Sequence, residues 1–146
     1  MDIVLKFQKL HNTVEIPKYE TVGASGMDVR AFLQDDVTLE PMERKLIPTG
    51  IKIELPIGYE AQVRARSGLS IKHGLTLING IGTVDSDYRG ELCVPMVNIS
   101  NEEYTINPND RIAQMVICRY EKVDIQVTEE LSDTQRSTGG FGSTGV

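Results

Sequence analysis

The sequence predicts an all-β domain, and three observations carry that expectation. Val, Ile and Thr number 13, 14 and 11, whereas Ala and Leu number 5 and 11. β-Branched side chains stiffen χ1 and suit a pleated surface. Apolar and polar residues alternate with period two through several runs. Clusters of Gly, Pro, Asn and Asp separate those runs at the intervals of a sandwich, jelly roll or barrel. The chain has 146 residues, no Trp, 3 Phe and 5 Tyr, so the core is expected to be aliphatic. That length buries about two-thirds of the surface an unfolded chain exposes.

The N-terminal stretch 1–10 mixes apolar with charged side chains, and 3–7 within it reads as a short first strand. A glycine-rich loop at 23–26 delivers Asp28 into the apolar run 29–33. Residues 37–39 form a short strand, and 43–55 a longer one interrupted at 48–50. In the next strand Tyr59, Ala61, Val63 and Ala65 face one way, while Glu60, Gln62, Arg64 and Arg66 face the other. Residues 68–73 read as one short helix with Ser67 as its N-cap. Strands follow at 91–99, 111–118 and 123–127, with turns at 56–58, 79–80, 88–90 and 107–110. The segment 132–146 holds four Gly, three Ser and three Thr. It cannot bury enough apolar surface to order itself. The expected organisation is a β-domain at 1–131 and a flexible Gly-rich tail at 132–146.

A net charge of −6 with no basic run makes the chain a poor partner for a nucleic-acid polymer, which needs many phosphates neutralised. A basic membrane-binding surface is disfavoured in the same way, and the N-terminal stretch 1–10 is too short and polar for a membrane span or a signal. The chain therefore reads as cytoplasmic, with Cys93 and Cys118 as reduced core thiols. His11 and His73 have no metal-ligand spacing and read as surface or helix-end residues.

Four segments can carry chemistry. Arg66-Ser67-Gly68 ends a strand and opens a helix, where free N–H groups beside a guanidinium suit an anion. The same residues also suit a solvated arginine before a capped turn. Gly82 to Gly90 crowds Asp85, Asp87, Tyr88 and Arg89 into an expected hairpin. Asp85 directly follows the β-branched Thr83 and Val84, so it is better placed than Asp87 to orient a water; a plain surface turn is the alternative. Asp28 can hold Mg²⁺ through water, since that ion keeps several of its waters, or can close an Asx-type turn. In the tail, backbone N–H groups can cradle phosphate, Arg136 can pair with it and Phe141 can stack on a ring; the plain alternative is a frayed end. No Ser-His-Asp or Cys-His pattern is present, so hydrolysis would use activated water. These parts suit a metal-assisted phosphate enzyme and also a nucleotide-binding module without chemistry.

Taken in order, the chain shows Ala-Ser-Gly-Met-Asp (24–28), Arg-Ser-Gly-Leu (66–69), Asn79, Gly-Thr-Val-Asp-Ser-Asp-Tyr-Arg-Gly (82–90), Asp-Arg-Ile-Ala-Gln (110–114) and Arg-Ser-Thr-Gly-Gly-Phe-Gly-Ser-Thr-Gly (136–145). This series resembles the trimeric dUTPase family, with all five of its motifs in order. The resemblance implies a jelly-roll homotrimer with shared sites that splits dUTP to dUMP and diphosphate with Mg²⁺. That activity keeps uracil out of DNA and supplies dUMP for thymidylate synthesis. On the matching positions it implies that Asp85 activates the water and that Tyr88 packs under the deoxyribose. Asn79, Cys93 and the backbone of Gly82, Thr83 and Val84 would read uracil. Arg66, Ser67, Gly68 and Gln114 would hold phosphates, and Asp28 the metal through water. Arg136, Phe141, Gly142, Ser143 and Thr144 would come from the tail of another subunit. Two positions depart from the pattern: Ser137 and Asn109 stand where Gly is usual. A dCTP deaminase-like enzyme on the same fold and a non-catalytic module are the alternatives. Tyr88-Arg89-Gly90 and the Phe141 tail favour the dUTPase reading, and a module has no need of Asp85.

Overall fold

A computed structural model describes residues 3–141. In chain order its elements are β1 (Lys6–Lys9), β2 (Gly26–Arg30), β3 (Val37–Leu39), β4 (Arg44–Pro48), β5 (Ile51–Glu54), β6 (Tyr59–Ala65), α1 (Ser67–His73), β7 (Leu75–Leu77), β8 (Ile81–Val84), β9 (Cys93–Asn98), β10 (Tyr104–Ile106) and β11 (Arg111–Arg119). The strands pair antiparallel into four sheets, ordered β1-β5, β10-β3, β2-β11-β6-β8 and β4-β9-β7. None of the four closes on itself, so the jelly-roll expectation takes its sandwich form rather than that of a closed barrel.

The period-two pattern decides which face is buried. Met27 and Val29 of β2, Ala61 and Val63 of β6, and Ala113 and Met115 of β11 join one aliphatic core with Ile47, Leu75, Leu77, Val94 and Met96. Their neighbours along each strand face outward, and the register Asp28↔Gln114↔Arg64 sets three polar side chains in a row across that outer face. A β-bulge lies between Arg111 and Ala113, and Ile112 and Ala113 are both buried. One extra residue flips the alternation, so Arg111 turns outward onto the same face as Gln114.

Several expectations change. Residues 85–92 are not a hairpin: β8 pairs with β6, whereas β9 pairs with β4 and β7, so this segment is a corner between two sheets. Ser67 is not an N-cap. Arg66 occupies that position with extended backbone, no side chain caps the helix, and the Leu69 and Ser70 N–H groups donate to the Arg66 carbonyl. The segment 123–127 forms no strand: it joins none of the ladders among the described residues, and Val123, Ile125 and Val127 stay exposed, so no packing face holds it extended. The first strand starts at Lys6 rather than residue 3, where its ladder with β5 begins. Asp28 lies inside β2 rather than at a loop end, and the three-residue strands β7 and β10 are too short to show a period.

Candidate active site

A cavity of about 340 Å³ opens between the edge strand β8 and the β4-β9-β7 sheet. Asn79, Gly82, Thr83, Val84, Asp85, Tyr88 and Cys93 line it, so the structure brings together seven residues singled out in the sequence. Leu46, Val63, Leu92 and Pro95 add apolar wall, and Glu91 adds a second carboxylate. The sequence reading passed over these five. Leu46 and Pro95 reach the cavity only because β4 and β9 pair with Leu46 opposite Pro95, a register no local pattern reveals. Among the described residues β8 pairs with β6 alone, so half of its backbone N–H and C=O groups face away from the ladder.

The corner after β8 is held by its own hydrogen bonds. Asp85 is exposed at the strand end, and the Tyr88 N–H donates to the Asp85 carbonyl at 3.1 Å. The Tyr88 hydroxyl donates to the Glu91 carbonyl at 3.1 Å, which folds the phenol across Gly90. A Cβ at position 90 would collide with that ring, so Gly90 is what lets the phenol lie in this place. Arg89 Nη1 donates to the carbonyls of Ser86 and Tyr88 at 2.7 and 2.9 Å. Asp87 does not line the cavity. Cys93 is half-buried rather than a core residue, and burial, with Glu91 adding to it, pushes its thiol pKa up. Cys118 is also free and half-buried, beside Arg64.

A second cluster lies apart from the cavity. Arg66 Nε donates to Asp28 Oδ1 at 2.9 Å, and Arg111 Nη1 to Asp28 Oδ2 at 3.1 Å. Arg66 Nη1 also donates to the Arg111 carbonyl at 3.1 Å. Gln114 Nε2 donates to the Ala65 carbonyl at 3.0 Å, and its Oε1 lies where a Cβ on Gly26 would be, at 2.7 Å. Only Gly at 26 leaves room for that amide. Ser67 and Gly68 are exposed at the start of α1 beside this cluster. Arg111 was quoted within a motif but given no role; the bulge that aims it is invisible to periodicity. Asp28 and Gln114 lie on the outer face of the β2-β11-β6-β8 sheet, whereas the cavity borders the inward Val63 and Val84. One chain therefore presents the two clusters on opposite faces.

Among the described residues no three His, Cys, Asp or Glu side chains converge as a metal cage. Asp28 is the carboxylate of the arginine cluster, and each of its oxygens already accepts from a guanidinium. That pairing does not fit direct ligation of a divalent ion, and leaves Asp28 able to meet one only through water held on its remaining lone pairs. Arg136 Nε donates to the Gly139 carbonyl at 2.8 Å, and Phe141 is fully exposed. Gly142, Ser143 and Thr144 lie outside the described residues. Ser137 and Asn109 both adopt left-handed backbone, with φ of 44° and 68°. His11 stacks on Phe32 and His73 ends α1 against Tyr104, both exposed. No helix of the described residues is long and apolar enough to cross a membrane.

An antiparallel sandwich with an edge-strand cavity and a separate arginine–carboxylate cluster defines a protein that handles a small anionic ligand. The comparisons with known proteins narrow that class. The dUTPase family model matches residues 12–145. The deoxyuridine 5'-triphosphate nucleotidohydrolase of Finegoldia magna is 61% identical over 130 residues, covering 89% of this chain and 91% of that protein. The protein of the same name from Fusobacterium nucleatum is 58% identical over 90% of each chain. The solved dUTPase of Staphylococcus bacteriophage 80alpha with dUpNHpp superposes with a TM-score of 0.88 at 26% identity, covering 98% of this chain and 99% of that one. The chain belongs to the dUTPase family.

Proposed function

We propose that this chain hydrolyses dUTP to dUMP and diphosphate, with Asp85 activating the water. The observation that carries this reading is the cavity beside β8 in a chain of the dUTPase family, with an exposed carboxylate where the edge strand ends. The outward backbone groups of Gly82, Thr83 and Val84, with the Asn79 amide and Cys93, read the uracil edge. A cytosine edge would leave polar groups unpaired, which penalises it. Tyr88 lies under the deoxyribose and leaves no space for a 2′-hydroxyl. Asp85 takes a proton as the water oxygen bonds to the α-phosphorus; the bond from that phosphorus to its bridging oxygen breaks, and diphosphate leaves. Arg66, Ser67, Gly68 and Gln114 hold the phosphates, where fixed donors stabilise developing charge. Asp28 would hold Mg²⁺ through water, and the bound ion would supply charge neutralisation on the triphosphate.

The active assembly is a homotrimer with shared sites. The separation of the two clusters on opposite faces supports this, because a nucleotide in the cavity then meets the arginine cluster of another copy. The tail at 132–146 closes over a neighbouring subunit's site, bringing Arg136, Phe141, Gly142, Ser143 and Thr144 and excluding bulk water. Two free thiols fit a cytoplasmic setting. The test is diphosphate release with dUTP, dCTP, dTTP and UTP in parallel, repeated with Asp85→Asn. Release from dUTP alone, reduced at least a hundredfold in the variant while the imido analogue still binds, is expected. Ammonia release from dCTP would overturn it.

A further inference from the structure

Glu91 lines the cavity yet makes no ion pair among the described residues. A carboxylate facing the site of a polyanion repels it, so its presence calls for a physical reason. Its hydrogen bonds supply one. Glu91 Oε1 accepts the Gly50 N–H at 2.8 Å, and the Glu91 carbonyl accepts the Tyr88 hydroxyl at 3.1 Å. The next residue continues the seam: the Leu92 N–H donates to the Ile51 carbonyl at 2.8 Å, and the Thr49 hydroxyl donates to the Leu92 carbonyl. The turn on the other side is rigid. Gly50 has φ of 70° and is closed in by Val14 and Phe32, its carbonyl accepts the Leu10 N–H, and Thr49 and Ile51 are buried.

We propose that Glu91 is a positioning residue that sets Tyr88, and with it the corner after β8, by anchoring that corner to the Gly50 turn. The corner joins two sheets and has no ladder of its own, so few contacts tie it to the rest of the fold: this seam and the exposed Arg89–Glu54 pair at 4.0 Å. Without the carboxylate the Gly50 N–H loses its acceptor and the Tyr88 phenol swings on a looser carbonyl. The sugar filter then weakens before the chemistry does. The proposal rests on the reading of Tyr88 as the residue under the deoxyribose, and the experiment separates the two.

The experiment compares wild type, Glu91→Ala, Glu91→Gln and Tyr88→Ala as full-length protein. Steady-state kinetics with dUTP and UTP are read beside hydrogen exchange of residues 49–51 and 85–92. Glu91→Ala is expected to raise KM for dUTP about tenfold, lower the dUTP-over-UTP preference about tenfold and lower kcat by less than threefold, as a contact that acts through orientation does. Exchange at Gly50 and through 85–92 should speed up. Glu91→Gln retains a carbonyl acceptor for the Gly50 N–H and should restore all of these to within about threefold. Unchanged exchange in Glu91→Ala overturns the anchoring, and unchanged KM and preference despite faster exchange overturn its link to the site. A Glu91→Gln variant as impaired as the Ala variant would mean that charge, not anchoring, is what matters. Preference that survives Tyr88→Ala overturns the reading of Tyr88 alone; the anchoring is then judged on exchange and on KM for dUTP.

Discussion

Asp28 joins Arg66 to Arg111: one carboxylate oxygen accepts from each guanidinium, at 2.9 and 3.1 Å, with Asp28 on β2, Arg111 on the adjacent β11 and Arg66 just past the end of β6. All three side chains are at least half-covered. The pairing holds two positive charges side by side, which neither would tolerate without the carboxylate between them. Asp28→Ala is expected to lower unfolding stability by about 1 kcal/mol, the usual scale for a partly exposed charged hydrogen bond. It should also raise KM for dUTP about tenfold, because the two guanidiniums then diverge. Urea unfolding and initial rates check both. An unchanged KM would remove Asp28 from the phosphate site.

Cys93 offers a chemical probe of the cavity. Its thiol pKa is raised by burial, with Glu91 contributing, so the neutral thiol persists above the pH at which free cysteine ionises, about 8.5. In a Cys118→Ser background, alkylation by iodoacetamide should follow a pH profile displaced upward from that of free cysteine. A non-hydrolysable dUTP analogue should slow it, because Cys93 lines the cavity. The linkage has a definite sign. Above pH ~8.5 the unfolded chain loses this proton first, the folded protein holds more protons, and stability falls as pH rises. Alkylation at the same pH midpoint as free cysteine, unaffected by ligand, would contradict both.

The alternation of β6 was readable because Ala61 and Val63 face a core and Gln62 and Arg64 do not. Sheet membership was not. Whether the residues after Asp85 form a hairpin or a corner depends on which strand pairs with β9, and that is decided by long-range register with β4. The site divides the same way. Asp85, Tyr88 and Gly82 stand close in sequence and meet in one cavity, whereas Leu46 and Pro95 join it only through pairing. Arg111 reaches Asp28 because of one bulged residue, and a strict period of two aims it inward.

Asn98 is a test of the fold itself. It is fully buried, and its amide donates to the carbonyls of Leu39 and Glu102 at 3.0 and 2.7 Å while its oxygen accepts from the Ser100 N–H and hydroxyl at 2.9 and 2.8 Å. It thus ties β9 to β3 and shapes the turn toward β10. Asn98→Leu leaves the buried Leu39 carbonyl without this partner and takes away the amide's bonds to the Ser100–Glu102 turn. A loss of about 3 kcal/mol is expected, at 1–3 kcal/mol for each unsatisfied group and with partial relaxation. A loss under 1 kcal/mol would mean that water replaces the amide.

Ser137 carries a backbone cost that can be removed. Its φ of 44° is the left-handed region, where a Cβ costs roughly 1 kcal/mol and glycine costs little. Ser137→Gly also loosens the open tail, so the net gain is smaller than the full penalty. If the tail closes over the nucleotide, the variant should lower KM for dUTP by up to about fivefold. Phe141→Trp gives a reporter in a chain without Trp. Its emission should respond to the dUTP analogue at a lower concentration when Ser137→Gly is added. No response to saturating ligand would mean that Phe141 does not stack on the base.

The cavity and the tail also allow a test of sharing between subunits. Two proteins are prepared, each defective in one half: Asp85→Ala, and a chain ending at Leu131. Each should be inactive alone. If a site takes Asp85 from one subunit and the tail from another, mixed trimers contain sites with both halves intact. Random equal mixing gives each half an independent one-in-two chance, so roughly a quarter of sites recover in a cyclic trimer. The chains must be refolded together, since assembled trimers exchange slowly if at all. A tail that folded over its own subunit would give no recovery, because every chain with an intact tail lacks Asp85. Native mass spectrometry must first verify that mixed trimers form. Activity near a quarter of wild type then establishes the shared site, and none in verified mixtures places both halves in one chain.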